Sequence, residues 1–183
     1  MVKMNHTTYA ILGLLTAGCH TGYDVKQMMD NSLNHFWKIS YGQIYPTLRQ
    51  LADEGFAEVS TANEGGKPDR KEYVITERGK EALEQWVSGP LSSLPTERNE
   101  LLLKLFFSRH QPAEKAIAQV EAYLNSLQER YNAYLTIEHS ILSSCAFDAD
   151  AKYGLITLEY GKKVTKAAIE WCEHTIQQLE EEE

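Results

Sequence analysis

The sequence predicts a mainly α-helical protein with one small β-hairpin: a first half of mixed structure, then a second half that is helical throughout. Three observations carry this. Apolar residues recur at helical spacing in most of the chain. Two short β-rich segments, FAEVSTA and RKEYVIT, are joined by NEGGKPD, whose Asn, Gly, Pro and Asp residues are turn formers. The stretch SGPLSSLPTE, residues 88–97, holds two prolines, a glycine and three serines and reads as the connection between two parts.

In the first part, Thr7 or Thr8 is placed to cap a helix running through YAILGLLTAG to about Gly18. A second helix begins near Thr21 and runs through GYDVKQMMDN. Residues 40–54 form a third, with Ser40 as N-cap and Ile44, Leu48 and Leu51 as the apolar positions. The hairpin follows, and Thr76 caps a fourth helix, ERGKEALEQWV. Three helices, a hairpin and another helix within about 90 residues is the element order of a winged helix-turn-helix.

In the second part, ELLLKLFFSRH is a short apolar helix, and Pro112 suits the first turn of the next. From Ala113 an apolar seam runs in alternating steps of four and three through Ile117, Val120, Leu124, Leu127, Tyr131, Tyr134 and Ile141 to Cys145, broken only by Glu138. A last helix, from about Ala149 to Leu179, repeats apolar positions at Leu155, Leu158, Ala168, Trp171, Cys172, Ile176 and Leu179. A heptad-like seam of about four heptads calls for a coiled-coil-like partner, and dimerisation is its natural use. The expected division is 1–90 for a DNA-binding domain and 91–183 for a helical dimerisation or effector domain.

Composition narrows the function. The 183 residues are 43% apolar and 24% charged, as in soluble globular proteins. No apolar run reaches the length of a membrane span, and the N-terminus lacks the pattern of a signal peptide. Cys19, Cys145 and Cys172 are widely spaced and odd in number, which fits a reducing cytoplasm better than a disulfide framework. Net charge is −8, but unevenly placed: nine Lys/Arg against eleven Asp/Glu in residues 1–90, nine against fifteen in 91–183. Any DNA-binding face must therefore come from local geometry in the first half. The six histidines form no metal-ligand spacing, and no nucleophile-elbow, dinucleotide or P-loop motif occurs, so neither an enzyme nor a cofactor is expected.

Residues 40–54 raise a question, because Gly42 and Pro46 are both unfavourable inside a helix. With Ile44, Leu48 and Leu51 turned inward, Gly42, Pro46 and Asp53 point nearly the opposite way, flanked by Arg49 and Gln50. Small residues at the N-terminal end would let the backbone approach the major groove closely, and Pro46 falls early, where a missing N–H costs least, although the Gly42 carbonyl can still lose its partner. The alternative is that Gly42 and Pro46 only shape a turn before a shorter core helix starting near Tyr45. Lys67, Arg70 and Lys71 on the hairpin weigh for the first reading, as a basic wing beside a recognition helix. The aromatic residues Phe36, Trp37, Trp86, Phe106, Phe107, Tyr123, Tyr131, Tyr134, Tyr153, Tyr160 and Trp171 are either core or the lining of an effector cavity. Cys19 is either a reactive thiol by a turn or a small structural residue.

YAILGLL, TGYDVKQ, GQIYPTLRQLADEGF and GGKPDRKEYVITERGKEAL resemble the PadR family of bacterial transcription regulators. The combination Y-P-T-L-x-x-L-x-x-x-G with R-K-x-Y-x-[IL]-T some 20 residues on carries the resemblance, over about residues 5–90. The helical remainder is similar to the C-terminal dimerisation region of the PadR-like and AphA-like branch. The resemblance implies a homodimeric winged-helix repressor or activator, often released by a small effector; the expectation for this chain is a repressor that binds a palindromic double-stranded DNA operator. Carried to this chain, Tyr41, Gln43, Tyr45, Pro46 and Arg49 would be recognition-helix contacts, and Lys67, Arg70 and Lys71 wing contacts. Asp53, Glu54, Glu58 and Glu64 make the local charge neutral, which implies modest, salt-sensitive affinity. The rival reading is an acidic winged helix that binds protein and no DNA.

Overall fold

The computed structural model describes residues 4–62, 70–91, 98–143 and 149–181. The chain divides into two compact units, Met1–Ser92 and Ser93–Glu183, each with its own core.

The N-terminal unit runs α1 (His6–Thr16), α2 (Gly22–Asn31), a 3-10 turn (Leu33–His35), α3 (Tyr41–Asp53), β1 (Ala57–Ala62), β2 (Arg70–Ile75) and α4 (Glu77–Ser88). The N-cap of α1 is Asn5 and not Thr7 or Thr8. Asn5 is extended, and its side chain accepts from the Thr8 backbone N–H at 2.9 Å, so the helix begins at His6, ahead of both threonines. At the other end Gly18 adopts φ +87, and the Cys19 N–H returns to the Leu14 carbonyl at 3.1 Å. Gly55, at φ +74, ends α3 the same way, with the Phe56 N–H on the Leu51 carbonyl at 2.8 Å. Both are left-handed helix stops that only glycine adopts cheaply. A full capping box starts α2: Thr21 accepts from the Asp24 N–H, and Asp24 accepts from the Thr21 N–H at 2.9 Å.

These ends aim the apolar faces of α1, α2 and α3 at one another. Ile11 and Leu12 of α1, Val25 and Met29 of α2, and Ile44, Leu48 and Leu51 of α3 are all buried in one cluster, and each such side chain contributes ~2 kcal/mol. The hairpin is antiparallel, with Ala57 opposite Ile75 and Ala62 opposite Arg70. Tyr73 pins it to the cluster: its ring is buried and its N–H donates to the His20 carbonyl at 2.7 Å. Thr76 caps α4 by accepting from the Gly79 N–H, while its hydroxyl donates to the Gly55 carbonyl. A Cβ at Gly79 would lie 2.2 Å from the Phe56 carbonyl oxygen and 2.7 Å from Ile75 Cγ1. Neither neighbour can swing away, so Gly79→Ala should cost about 2 kcal/mol of stability. A urea melt reads this, and a midpoint equal to the parent's would refute it.

The C-terminal unit holds α5 (Glu100–Phe106), a 3-10 turn (Ser108–His110), α6 (Ala113–Ser143) and α7 (Ala149–Glu181). The stretch ELLLKLFFSRH is thus a helix of two turns and a separate tighter turn, not one helix. The seam of α6 packs on α7 of the same chain. Val120, Leu127 and Tyr134 are buried there, with Leu158, Thr165 and Cys172 on the facing side. Cys145 lies outside the described residues. Glu138, the break in the seam, meets Lys162 of α7 at 2.5 Å, and both side chains are largely buried. That partner is what makes a carboxylate tolerable in an apolar seam. Gly161 lets α7 close on the Tyr134 ring, which a Cβ there would approach to 3.0 Å. Among the described residues, no helix is long and apolar enough to cross a membrane.

Candidate nucleic-acid interface

Helix α3 settles the question raised by Gly42 and Pro46. It is continuous from Tyr41 to Asp53, so no turn precedes a shorter helix. Ser40 occupies the N-cap with extended backbone, but its side chain makes no capping bond. Pro46 is the sixth helical residue. That is beyond the four N–H groups that lack helical partners, so the missing donor is a real loss and not an early, cheap one. The loss falls on the Gly42 carbonyl, four residues back. Gly42 is exposed, and a Cβ there would meet nothing nearer than Ser40 Oγ at 3.7 Å. Neither residue is demanded by packing inside the unit.

The rest of this face follows from the helical period. With Ile44, Leu48 and Leu51 buried, Tyr41, Gly42, Gln43, Tyr45, Pro46, Arg49 and Gln50 are exposed. Tyr41, Gln43, Tyr45, Pro46 and Arg49, the positions that the family resemblance marks, are thus all exposed on α3, with Tyr41 and Gln43 at opposite edges of the outer side. Two of them are held by α2. The Tyr41 hydroxyl donates to Asp30 Oδ1 at 2.6 Å, and Lys26 Nζ stands 4.4 Å from its ring centroid. The bond to Asp30, aided by desolvation and by the Asp30 charge, pushes the Tyr41 hydroxyl above the ordinary tyrosine range. The Tyr45 ring lies across Gly22 at the start of α2.

On the hairpin, Lys71 is exposed near the outer end of β2, two positions before buried Tyr73. Arg70 opens β2 opposite Ala62. Lys67 and the rest of NEGGKPD lie outside the described residues, as does Glu64.

Reading along the chain missed two exposed cations near the start of α3: Lys26, over the Tyr41 ring, and Lys38, three residues before the helix. The signal for Lys26 was faint but present, since TGYDVKQ places it one turn after Tyr23 on the polar side of α2. The acids are distributed less evenly than the sequence suggested. Asp53 and Glu54 sit at the C-terminal end of α3, where Glu54 accepts from Gln50 at 2.9 Å. Asp24 and Asp30 are engaged in the capping box and by Tyr41. The N-terminal end of α3, with its positive dipole end and nearby Lys26 and Lys38, is suited to an anion.

Elsewhere the aromatic residues divide. Tyr9 stacks on Trp86 at 4.8 Å, and His6 meets Trp37 and Trp86 edge-on. Tyr134 is core, Tyr123 and Trp171 pack beside the C-terminal cluster, and Phe106, Phe107, Tyr153 and Tyr160 are exposed. Cys19 is buried, and burial, with the charge of Asp24 adding, pushes its thiol above the usual cysteine range. That is the setting of a structural residue and not of a reactive thiolate. No group of three or more His, Cys, Asp or Glu among the described residues is arranged to hold a metal.

Comparison with known proteins agrees with this geometry. Residues 11–85 match the Transcriptional regulator PadR-like family, and residues 97–180 match Virulence activator alpha C-term. The chain is 36% identical over 130 residues to the negative transcriptional regulator PadR of Bacillus subtilis, covering 67% of this chain and 71% of that protein. Its fold is similar to Bacillus subtilis PadR in complex with operator DNA, with a TM-score of 0.84 and 27% identity, covering 96% of this chain and 99% of the other. It is also similar to the same protein in complex with p-coumaric acid (TM-score 0.78, 25% identity, 94% and 98% covered). A third likeness is to the virulence activator AphA of Vibrio cholerae (TM-score 0.75, 26% identity, 96% and 99% covered). With its winged helix-turn-helix, its long helical second unit and these relatives, the chain belongs to the PadR-like family of transcriptional regulators.

Proposed function

We propose that this regulator binds a two-fold symmetric DNA operator as a homodimer, inserts α3 into the major groove, and represses transcription in the cytoplasm until a small effector releases it. The observation that carries the reading is the shape of α3. One face is fully buried, and the opposite face is small at its N-terminal end, where Gly42 leaves the backbone open. Gln43 and Arg49 are the side chains with the chemistry to read base edges, while Tyr41, Tyr45 and Pro46 shape and line the approach. Lys71, Arg70 and Lys67 contact the backbone of the adjacent groove, and Lys26 and Lys38 join them at phosphates. The negative regulator of Bacillus subtilis supports repression as the sign. Its role is recognition and not catalysis.

The homodimer is assigned to the second unit. Because the α6 seam is filled by α7 of the same chain, pairing must use faces that remain exposed. Two are strongly apolar: Leu102, Leu103, Phe106 and Phe107 on and after α5, and Tyr153, Ile156, Tyr160 and Val164 along the outer side of α7. Charge along α7 is segregated. Lys152, Lys162 and Lys163 stand in its first half, against Asp150 and Glu159, while its second half holds Glu170, Glu173, Glu180 and Glu181 against Lys166. Antiparallel pairing of two such helices sets opposite charges together, whereas parallel pairing opposes like charges.

The effector is a planar aromatic acid. The p-coumaric acid complex of the Bacillus subtilis protein supports that class, as do the ring systems of this chain. An effector that prefers the free protein must weaken DNA binding by the same ratio. Electrophoretic shift with the promoter of its own operon should give a complex, and titrating hydroxycinnamic and related acids should release DNA for at least one compound. No shift at low salt would leave the acidic protein-binding module as the better reading. A complex that withstands the whole panel would remove the aromatic acid.

A further inference from the structure

We infer that Gly22 is a positioning residue for DNA recognition, present so that the Tyr45 ring can lie against the first turn of α2. The inference rests on the assignment of Tyr45 to the DNA-facing surface. Gly22 is the first residue of α2 and is buried. Its backbone does not require glycine, for the described glycines with positive φ are Gly18 and Gly55. The capping box that starts α2 is made by Thr21 and Asp24, so Gly22 has no part in it. On helix propensity alone, alanine would be the better residue.

What excludes a side chain is Tyr45. A Cβ at position 22 would stand 2.4 Å from Tyr45 Cε1, 2.7 Å from Cζ and 3.0 Å from Cδ1. The Tyr45 side chain is otherwise 60% exposed, with one edge on α2 and the remainder open to solvent. An exposed tyrosine with no such seat samples several rotamers, and fixing it on binding costs affinity. Here the seat on Gly22 fixes the ring before DNA arrives and sets the direction of its hydroxyl. Because the ring is the end of a flexible side chain, a methyl group at position 22 is relieved by the ring swinging out. Movement of the helices is not needed. The fold survives and the recognition surface changes.

The test compares full-length parent, Tyr45→Ala, Gly22→Ala and the double variant, by operator-binding isotherms, thermal melts and fluorotyrosine spectra without DNA. Tyr45→Ala should bind about tenfold more weakly, the scale of one hydrogen bond to a charged group. Gly22→Ala should lose a similar factor while melting no lower than the parent, and should shift the Tyr45 resonance. The double variant should bind no more weakly than Tyr45→Ala. If Tyr45→Ala weakens binding but Gly22→Ala binds like the parent, or if the two losses multiply, Gly22 does not act through Tyr45 and the inference falls. An unmoved Tyr45 resonance in Gly22→Ala overturns it as well. If Tyr45→Ala itself binds like the parent, the DNA-facing assignment of Tyr45 fails, and the inference with it.

Discussion

A chain ending at Ser92 is expected to be a folded monomer that binds operator DNA at least about a hundredfold more weakly than the full protein. The N-terminal unit keeps every member of its core cluster, from Ile11 of α1 to Tyr73 of β2, so its fold does not need the second unit. What it loses is the link between two copies of α3. In a dimer the second half-site is engaged at an effective concentration set by the tether, and that avidity is commonly worth 10²–10⁴ in affinity. The cut belongs before α5, because α5 left alone would expose Leu101, which is buried against Val120, Leu127 and Cys172. Light scattering and binding isotherms of the truncated and full-length proteins read both parts. A truncated protein that still dimerises, or that binds as tightly as the parent, would show that the second unit does not assemble the regulator.

Much of the fold was legible because it rests on local signals. The apolar period placed α2, α3, α6 and α7, and the glycines at 18 and 55 marked where helices stop. The turn-rich NEGGKPD separated two β-rich segments. What sequence could not resolve was decided by partners distant in the chain or by competition among neighbours. In NHTT three polar residues within four positions can each cap, and Asn5 prevails because it is the one with extended backbone just before the helix. Glu138 looked like a flaw in the seam until Lys162 stood beside it. The seam itself demanded a partner helix without specifying which, and the partner is α7 of the same chain.

The candidate site follows the same division. Gly42, Tyr45, Pro46 and Arg49 share the outer side because 3.6 residues per turn put them there once Ile44, Leu48 and Leu51 are inward, and Tyr41 and Gln43 stand at its two edges. Lys26 is brought to the start of α3 only by folding, whereas Lys38 precedes it by three residues in the chain. The ties of Tyr41 to Asp30 and of Tyr45 to Gly22 cross from one helix to another, so no spacing within α3 could announce them. The charge balance also changes in space, since Asp53 and Glu54 occupy the far end of a helix about 18 Å long.

The placement of α3 in the major groove is tested most directly at Gly42. Leucine there meets open space inside the protein, and it is the better helix former by up to about 1 kcal/mol. Stability should therefore hold or rise. The added bulk stands where the helix must approach the bases, and a dimer carries it into both half-sites. At about 1–3 kcal/mol for each disturbed half-site, two half-sites total about 2–6 kcal/mol, so affinity should fall on the order of a hundredfold. The measurement is a set of binding isotherms for parent and Gly42→Leu proteins on operator and scrambled DNA, with circular dichroism and light scattering on the same samples. A folded Gly42→Leu protein, in the parent's oligomeric state and a hundredfold weaker on the operator, is the expected result. The same folded protein binding the operator as tightly as the parent would mean that α3 does not enter the groove.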